Sequence, residues 1–299
     1  MEYKILERDA RLGDYAASQK LEKRRQLLEI LPIRDDMGNS LTWCPSAIPE
    51  KLINDIDKMY DQISITNIDT EVVIEEESFH SCRIEGADTT KEELFDIFKA
   101  KRTEKKGDKM IVNTYRAVKF LNITTKRDVN TLISLWKIVT DGVCDNAHMS
   151  DGGFRTGVVK VGSHEAPEPE FLDYCMKQFF NFYHGENITH PYTKVAILHF
   201  YFVYMHPFCD GNGRISRLLT TDFLIRSGLE NFSALTLSKT INETANDYYQ
   251  ALENSENSFF DVTPFIQYIL KCVYDNLYEV LDRQDRHIVK YIDWKEVFE

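Results

Sequence analysis

The devices that staple or anchor small proteins are missing from this 299-residue chain. Its six cysteines, Cys44, Cys82, Cys144, Cys175, Cys209 and Cys272, are scattered, with no C-x-x-C pair and no clustering with histidine. That excludes a disulfide framework and a zinc site, and it fits a reducing compartment. No apolar run approaches the length of a bilayer span. The opening stretch MEYKILERDARLGDY is charged throughout where a secretory leader needs an apolar segment. The sequence therefore predicts a soluble, cytoplasmic protein without a membrane partner. A net positive charge is also lacking: 48 acidic against 36 basic residues give a formal net charge of -12, which excludes a protein that grips nucleic acid through its phosphates. The one basic run, Lys99 to Lys109, is interrupted by Glu104 and Asp108 and reads as a solvated helix end and loop. Internal repeats and low-complexity tracts are lacking too.

What is present is helical. A 43% hydrophobic content suffices for a sizeable core. The segment IPEKLINDIDKMYDQI places Leu52, Ile53, Ile56, Met59, Tyr60 and Ile63 on one stripe, and MIVNTYRAVKFL does the same with Ile111, Tyr115, Val118 and Leu121. Later segments of similar length predict a mainly α fold. Its expected divisions are a helical N-terminal region (1–108), a core (109–275) and a C-terminal accessory segment (276–299). Two segments depart from helical spacing. Residues 31–49 hold three prolines and a turn-rich middle, which predicts an irregular connection. Val158, Val159, Lys160 and Val161, flanked by Gly157 and Gly162, predict a short extended flap or hairpin.

The chemistry concentrates in HPFCDGNGRISR, residues 206–217. Pro207 ends the preceding apolar helix and leaves His206 in a loop mouth, where an imidazole can take a proton from a hydroxyl. Gly211, Asn212 and Gly213 let backbone N–H groups face a ligand. A helix starting at this point would aim its unpaired donors at an anion. Arg214 and Arg217, one turn apart, can both reach back over that mouth as forks for phosphate oxygens. Asp210 would repel a polyphosphate unless a cation intervened, which implies a divalent metal such as Mg²⁺. His199, on the same apolar segment, lies about two turns before His206, too distant for the two to share an ion without other ligands.

These residues resemble the signature of the Fic family, H-x-F-x-D/E-G-N-G-R-x-x-R, with all eight specified positions matched from His206 and Phe208 to Arg217. The likeness extends to Gly152-Gly153-Phe154-Arg155 before the flap and to Pro167 and Pro169 after it, and it covers roughly residues 50–275. The resemblance implies a Fic-fold helical core with a small β-hairpin flap beside the active site. It implies transfer of AMP from ATP to a Ser, Thr or Tyr hydroxyl of a target protein. In that scheme His206 is the base, Asp210 holds Mg²⁺, and Gly211 to Gly213, with the Asn212 side chain, bind the α- and β-phosphates. The two arginines neutralise the remaining charge, and Phe208 anchors the loop in the core. The flap would pair with the target by main-chain hydrogen bonds. Tyr248 and Tyr249 are candidates for an adenine wall, though paired tyrosines on a helix are as often core. Gly213, where a phosphorylating branch has lysine, favours adenylyl transfer over phosphorylation.

Upstream, Ser81-Cys82-Arg83-Ile84-Glu85-Gly86 resembles the family's inhibitory pattern S/T-x-x-x-E-G/N. On a helix Ser81 and Glu85 stack one turn apart, and Gly86 suits a C-terminal cap. Glu85 would pair with Arg217 and deny that guanidinium to the γ-phosphate. The resemblance leaves other readings open: AMP removal by the same site, a nucleotide-binding interaction module with negligible turnover, self-modification and a homodimer.

Overall fold

A computed structural model describes residues 3–66, 68–99, 103, 105–144, 153–185, 190–257, 259–284 and 298. Gly152, part of the basic run and most of the segment after residue 284 lie outside the described residues. The first half of the chain forms α1 (Tyr3–Arg11), α2 (Tyr15–Gln26), β1 (Glu29–Arg34), β2 (Ser40–Trp43), α3 (Glu50–Tyr60), α4 (Thr70–Ile84), α5 (Leu94–Phe98), α6 (Lys106–Ile123) and α7 (Val129–Thr140). The second half forms β3 (Lys160–Val161), β4 (His164–Glu165), α8 (Leu172–His184), α9 (Pro191–Met205), α10 (Asn212–Arg226), α11 (Leu237–Glu243), α12 (Ala245–Ser255) and α13 (Thr263–Arg283). The fold is mainly α, and no helix among the described residues is long and apolar enough to cross a membrane.

Helix α9 is buried on almost every face, from Tyr192 through Phe202 to Met205, because its sequence offers hardly any polar side. It is the axis of the molecule. Helices α8, α10 and α13 pack around it, and one continuous core runs from Ile56 and Met59 of α3 through Trp136 of α7 to Leu277 of α13. Pro191 starts α9, where its missing N–H costs nothing, and His206 ends it in the left-handed region at φ 46°.

The segment 31–49 is not an irregular connection. It carries most of an antiparallel hairpin in which Ile30 faces Thr42 and Arg34 faces Ser40. Alternation buries Leu31 and Ile33 and leaves Pro32 outward, where the lack of an N–H is tolerated. The hairpin is stitched to the start of α13: Thr42 N–H donates to Phe260 O at 2.9 Å, and Val262 N–H donates to Thr42 O at 2.9 Å.

The flap is also narrower than the valine run suggested. Only Lys160 and Val161 are strand, paired with Glu165 and His164 across the Gly162-Ser163 turn. Val158 and Val159 lead into it, and Ala166 N–H donates to Val159 O at 3.0 Å.

Candidate active site

Three elements build the site: the C-terminal end of α9, the N-terminal end of α10 and the C-terminal end of α4. Between α9 and α10 the chain turns in six residues, and Asn212 fixes that turn. Its amide accepts from Phe208 N–H at 3.0 Å and donates to Phe208 O at 2.8 Å, while Phe208 stacks on Trp136 at 5.4 Å in the core. Gly211 adopts φ 84°, which a side chain would resist, and this lets α10 begin at once. The Asn212 side chain is thus spent on the loop and is 2% exposed, where the sequence led us to expect a phosphate contact.

Arg214 differs from expectation as well. It is fully buried, donates to Val139 O at 3.0 Å and to Asp210 Oδ1 at 3.0 Å, and does not join Arg217 at the mouth. Arg214 holds Asp210 in place. Asp210 Oδ1 also accepts from Gly211 N–H at 2.5 Å, and the side chain remains 39% exposed. One accessible carboxylate of this kind fits Mg²⁺, which takes its remaining ligands from phosphates and water. No cluster of three or more metal-ligating side chains exists among the described residues.

Arg217 is the guanidinium that reaches the cleft. It is 2% exposed, and its Nε donates to Ser81 Oγ at 2.9 Å. Its Nη2 donates to Ser81 O at 2.8 Å and to Glu85 Oε1 at 2.7 Å. Nη1 is buried without a partner among the described residues. Helix α4 delivers these acceptors: Asp69 caps its start, Glu85 follows its last helical residue, and Gly86 leaves it at φ 80°. Glu85 lies directly over the first turn of α10, where a Cβ on Gly213 would collide with Oε1. The carboxylate therefore occupies the space in front of the unpaired N–H groups of α10.

His206 faces the same cleft. Its Nδ1 lies 3.3 Å from Val203 O, a contact that places the proton on Nδ1 and leaves the Nε2 lone pair available. Burial pushes its pKa down to about 4, the nearby charges of His164 and Arg155 push the same way, and Glu85 opposes them. The ring is neutral at pH 7. His199, by contrast, is a buried core histidine, bonded to Thr220 Oγ1 and Tyr248 OH at 2.9 Å each.

The cleft has a volume of about 640 Å³ and brings together Glu85, His206, Gly213 and Arg217 with the flap residues Val161 to His164 and the tyrosines of α12. This is the size range of small-molecule sites. Tyr249 is 47% exposed and can offer its ring to a planar ligand, whereas Tyr248 is 2% exposed and supports it from below.

Arg155 went unrecognised as an organiser of the site in the sequence. It is 2% exposed and donates to four carbonyls: His206 O at 2.7 Å, Gly157 O at 2.8 Å, Pro167 O at 2.5 Å and Met205 O at 3.2 Å. It ties both ends of the flap to the catalytic loop. The expected result for Arg155→Ala is a loss of about 3–5 kcal/mol, because acceptors buried with it lose their donor. Urea unfolding measures this, and a cost under about 1 kcal/mol would contradict the role.

Comparison with known proteins places these residues in a lineage. The family model for the Fic/DOC family matches residues 127–224. A protein adenylyltransferase Fic of Culex quinquefasciatus is 32% identical over 160 residues, 52% of this chain and 30% of that protein. One of Nematostella vectensis is 34% identical over 133 residues, 44% of this chain and 29% of that protein. The matched segment thus spans less than a third of each relative's own length. Among solved structures, a Fic family protein from Desulfovibrio desulfuricans G20 superposes with a TM-score of 0.71 at 22% identity, covering 82% of this chain and 76% of the other. Fic-1 from C. elegans superposes with a TM-score of 0.67 at 22% identity, covering 80% and 74%. The signature at residues 206–217 lies inside the segment 127–224 that matches the Fic/DOC family model, and the solved structures share its fold.

Proposed function

We propose that this protein transfers AMP from ATP to a Ser, Thr or Tyr hydroxyl of a target protein and that Glu85 restrains it. The observation that carries this reading is the shared cleft: a neutral imidazole, a helix N-terminus, a buried arginine and an extended flap all open onto it. Proteins named adenylyltransferase are the relatives that match this segment.

The reaction follows from these groups. The nucleotide's phosphates rest on the N–H groups that open α10, at Asn212 and Gly213, and the flap edge aligns the target strand. The target hydroxyl attacks the α-phosphorus, His206 Nε2 takes its proton, and the bond from the α-phosphorus to the α–β bridging oxygen breaks. Pyrophosphate leaves with the electron pair. Mg²⁺ on Asp210 would supply charge neutralisation across the phosphates. Arg217 would hold the terminal phosphate once Glu85 withdraws, so that donors preset for the developing charge provide much of the rate.

Glu85 and the γ-phosphate compete for one guanidinium and for the same space above Gly213. Bound ATP then lies without its terminal anchor, in a pose that misaligns the α-phosphorus. The reading is tested by incubating the Glu85→Gly protein and a native lysate with ATP labelled at the α- or at the γ-phosphate. Label should pass to protein from the α position alone. Transfer from the γ position beyond that of the lysate alone would mark phosphorylation and overturn the proposal, and release of free AMP from a premodified target would mark hydrolysis.

A further inference from the structure

The flap is held to the body of the protein by a side chain that the reaction itself does not use. His164, on β4, is 12% exposed, and acceptors flank both of its ring nitrogens: Glu256 Oε2 lies 2.9 Å from Nδ1, and Tyr204 O lies 2.9 Å from Nε2. A neutral imidazole has one N–H and one lone pair, so it can satisfy only one of these partners and must turn a lone pair on the other. The imidazolium donates to both. From its geometry alone, then, His164 belongs in the charged form, linking β4 to the segment after α12 and to the last turn of α9, one residue from Met205 and two from His206.

We propose that His164 is a positioning residue: as an imidazolium clamped between Glu256 and the Tyr204 carbonyl, it holds the flap edge beside His206 and releases that edge when it loses its proton. The docking role of the flap rests on the adenylyl-transfer reading, but the clamp itself does not. The groups facing the ring from every side are consistent with the charged form. Burial opposes it, yet the hydrogen bond and charge of Glu256, with the Tyr204 carbonyl, outweigh burial and the repulsion of Arg155, so the pKa is raised above its ordinary value. Neutral His206 adds no competing charge at pH 7. Tyr204 OH is engaged with Asp36 on the far side of its ring, and the neighbouring Ser163 Oγ donates to Glu253, which pairs with Lys4. These last contacts are exposed and screened, which leaves His164 as the buried attachment of the hairpin itself, beside Arg155 at the two ends of the flap.

The sign follows from the direction of the shift. A raised pKa means that the clamp is complete below about pH 6.5 and is lost as pH rises through the higher folded value. Two readouts need neither nucleotide nor target, so they decide the clamp even if adenylyl transfer proves wrong. In the full chain, nitrogen NMR of the imidazole should show both His164 ring nitrogens protonated below the transition, with the midpoint of proton loss above that of an ordinary histidine. Hydrogen-exchange protection of the Ala166 amide, bonded to Val159 O in the flap, should fall about tenfold or more through the same titration as a charge-assisted bond is lost. Glu256→Gln should move both transitions to lower pH, and His164→Gln should leave protection low and independent of pH. A midpoint at or below the ordinary histidine value would overturn the proposal. So would Ala166 protection that Glu256→Gln leaves unmoved.

Discussion

Replacing Glu85 by glycine is expected to raise the rate of protein labelling from ATP by roughly 10²-fold, the order by which one preset donor to a charged transition state typically counts. In the wild-type structure Arg217 Nη2 is committed to Glu85 and to the Ser81 carbonyl, and the carboxylate fills the space above Gly213. Removing it frees the guanidinium and uncovers the N–H groups of α10. The same change should lower thermal stability in the absence of nucleotide, because a buried cation loses its counter-charge. Bound ATP restores that charge, so the variant should gain more in melting temperature from saturating ATP than the wild type does. Faster labelling with a smaller ATP-induced shift would contradict this pairing of effects. Equal labelling in the two proteins would remove the restraint altogether.

The way α4 is held constrains how the proposed restraint would be lifted. Glu77, two turns before Glu85, is buried and accepts from the Ser238 backbone N–H at 3.0 Å and from its hydroxyl, and Cys82 is buried against Thr114. Withdrawing the whole helix would expose these groups. Glu85 itself follows the last helical residue, with its side chain 32% exposed, so a rotation of that side chain frees Arg217 at far smaller cost.

His206→Ala should lower the rate of labelling by about 10²–10⁴-fold in the Glu85→Gly background, the range set by removing a general base. Affinity for ATP should change little, since in the proposed reaction the imidazole serves the target hydroxyl rather than the nucleotide. The free-enzyme pKa is pushed down to about 4 by burial, so kcat/KM for ATP should hold nearly constant from pH 8 to pH 6 and fall only near pH 4 to 5. The charge of bound triphosphate favours the imidazolium, so the acid limb of kcat should lie at higher pH than that of kcat/KM. An acid limb of kcat/KM near pH 6.5 would show a solvated histidine and would contradict the buried geometry.

The parts of this site that were legible from the sequence are those whose role depends on local spacing. Pro207 after an apolar run fixed where α9 stops, and the stripe containing Leu52, Ile56 and Met59 did fold onto the core. Ser81 and Glu85 sit one turn apart because a helix must place them so. The parts that were not legible depend on distant partners. Nothing near Arg155 indicates that its four acceptors come from residues 157, 167, 205 and 206. Arg214 looked equivalent to Arg217, one turn away on the same helix, but its guanidinium is taken by the Val139 carbonyl of α7 and by Asp210. The hairpin of β1 and β2 was obscured by Pro32, whose ring removes a strand signal while its outward position preserves the strand.

The central claim is that Glu85 and the terminal phosphate of ATP contend for Arg217, and the affinities of ATP and ADP, measured side by side by calorimetry with wild-type and Glu85→Gly protein, test it most directly. In the wild type the two nucleotides should bind almost equally, because the third phosphate finds its partner taken. In the variant ATP should bind clearly more tightly than ADP. An ATP-to-ADP ratio that is the same in both proteins would contradict the account.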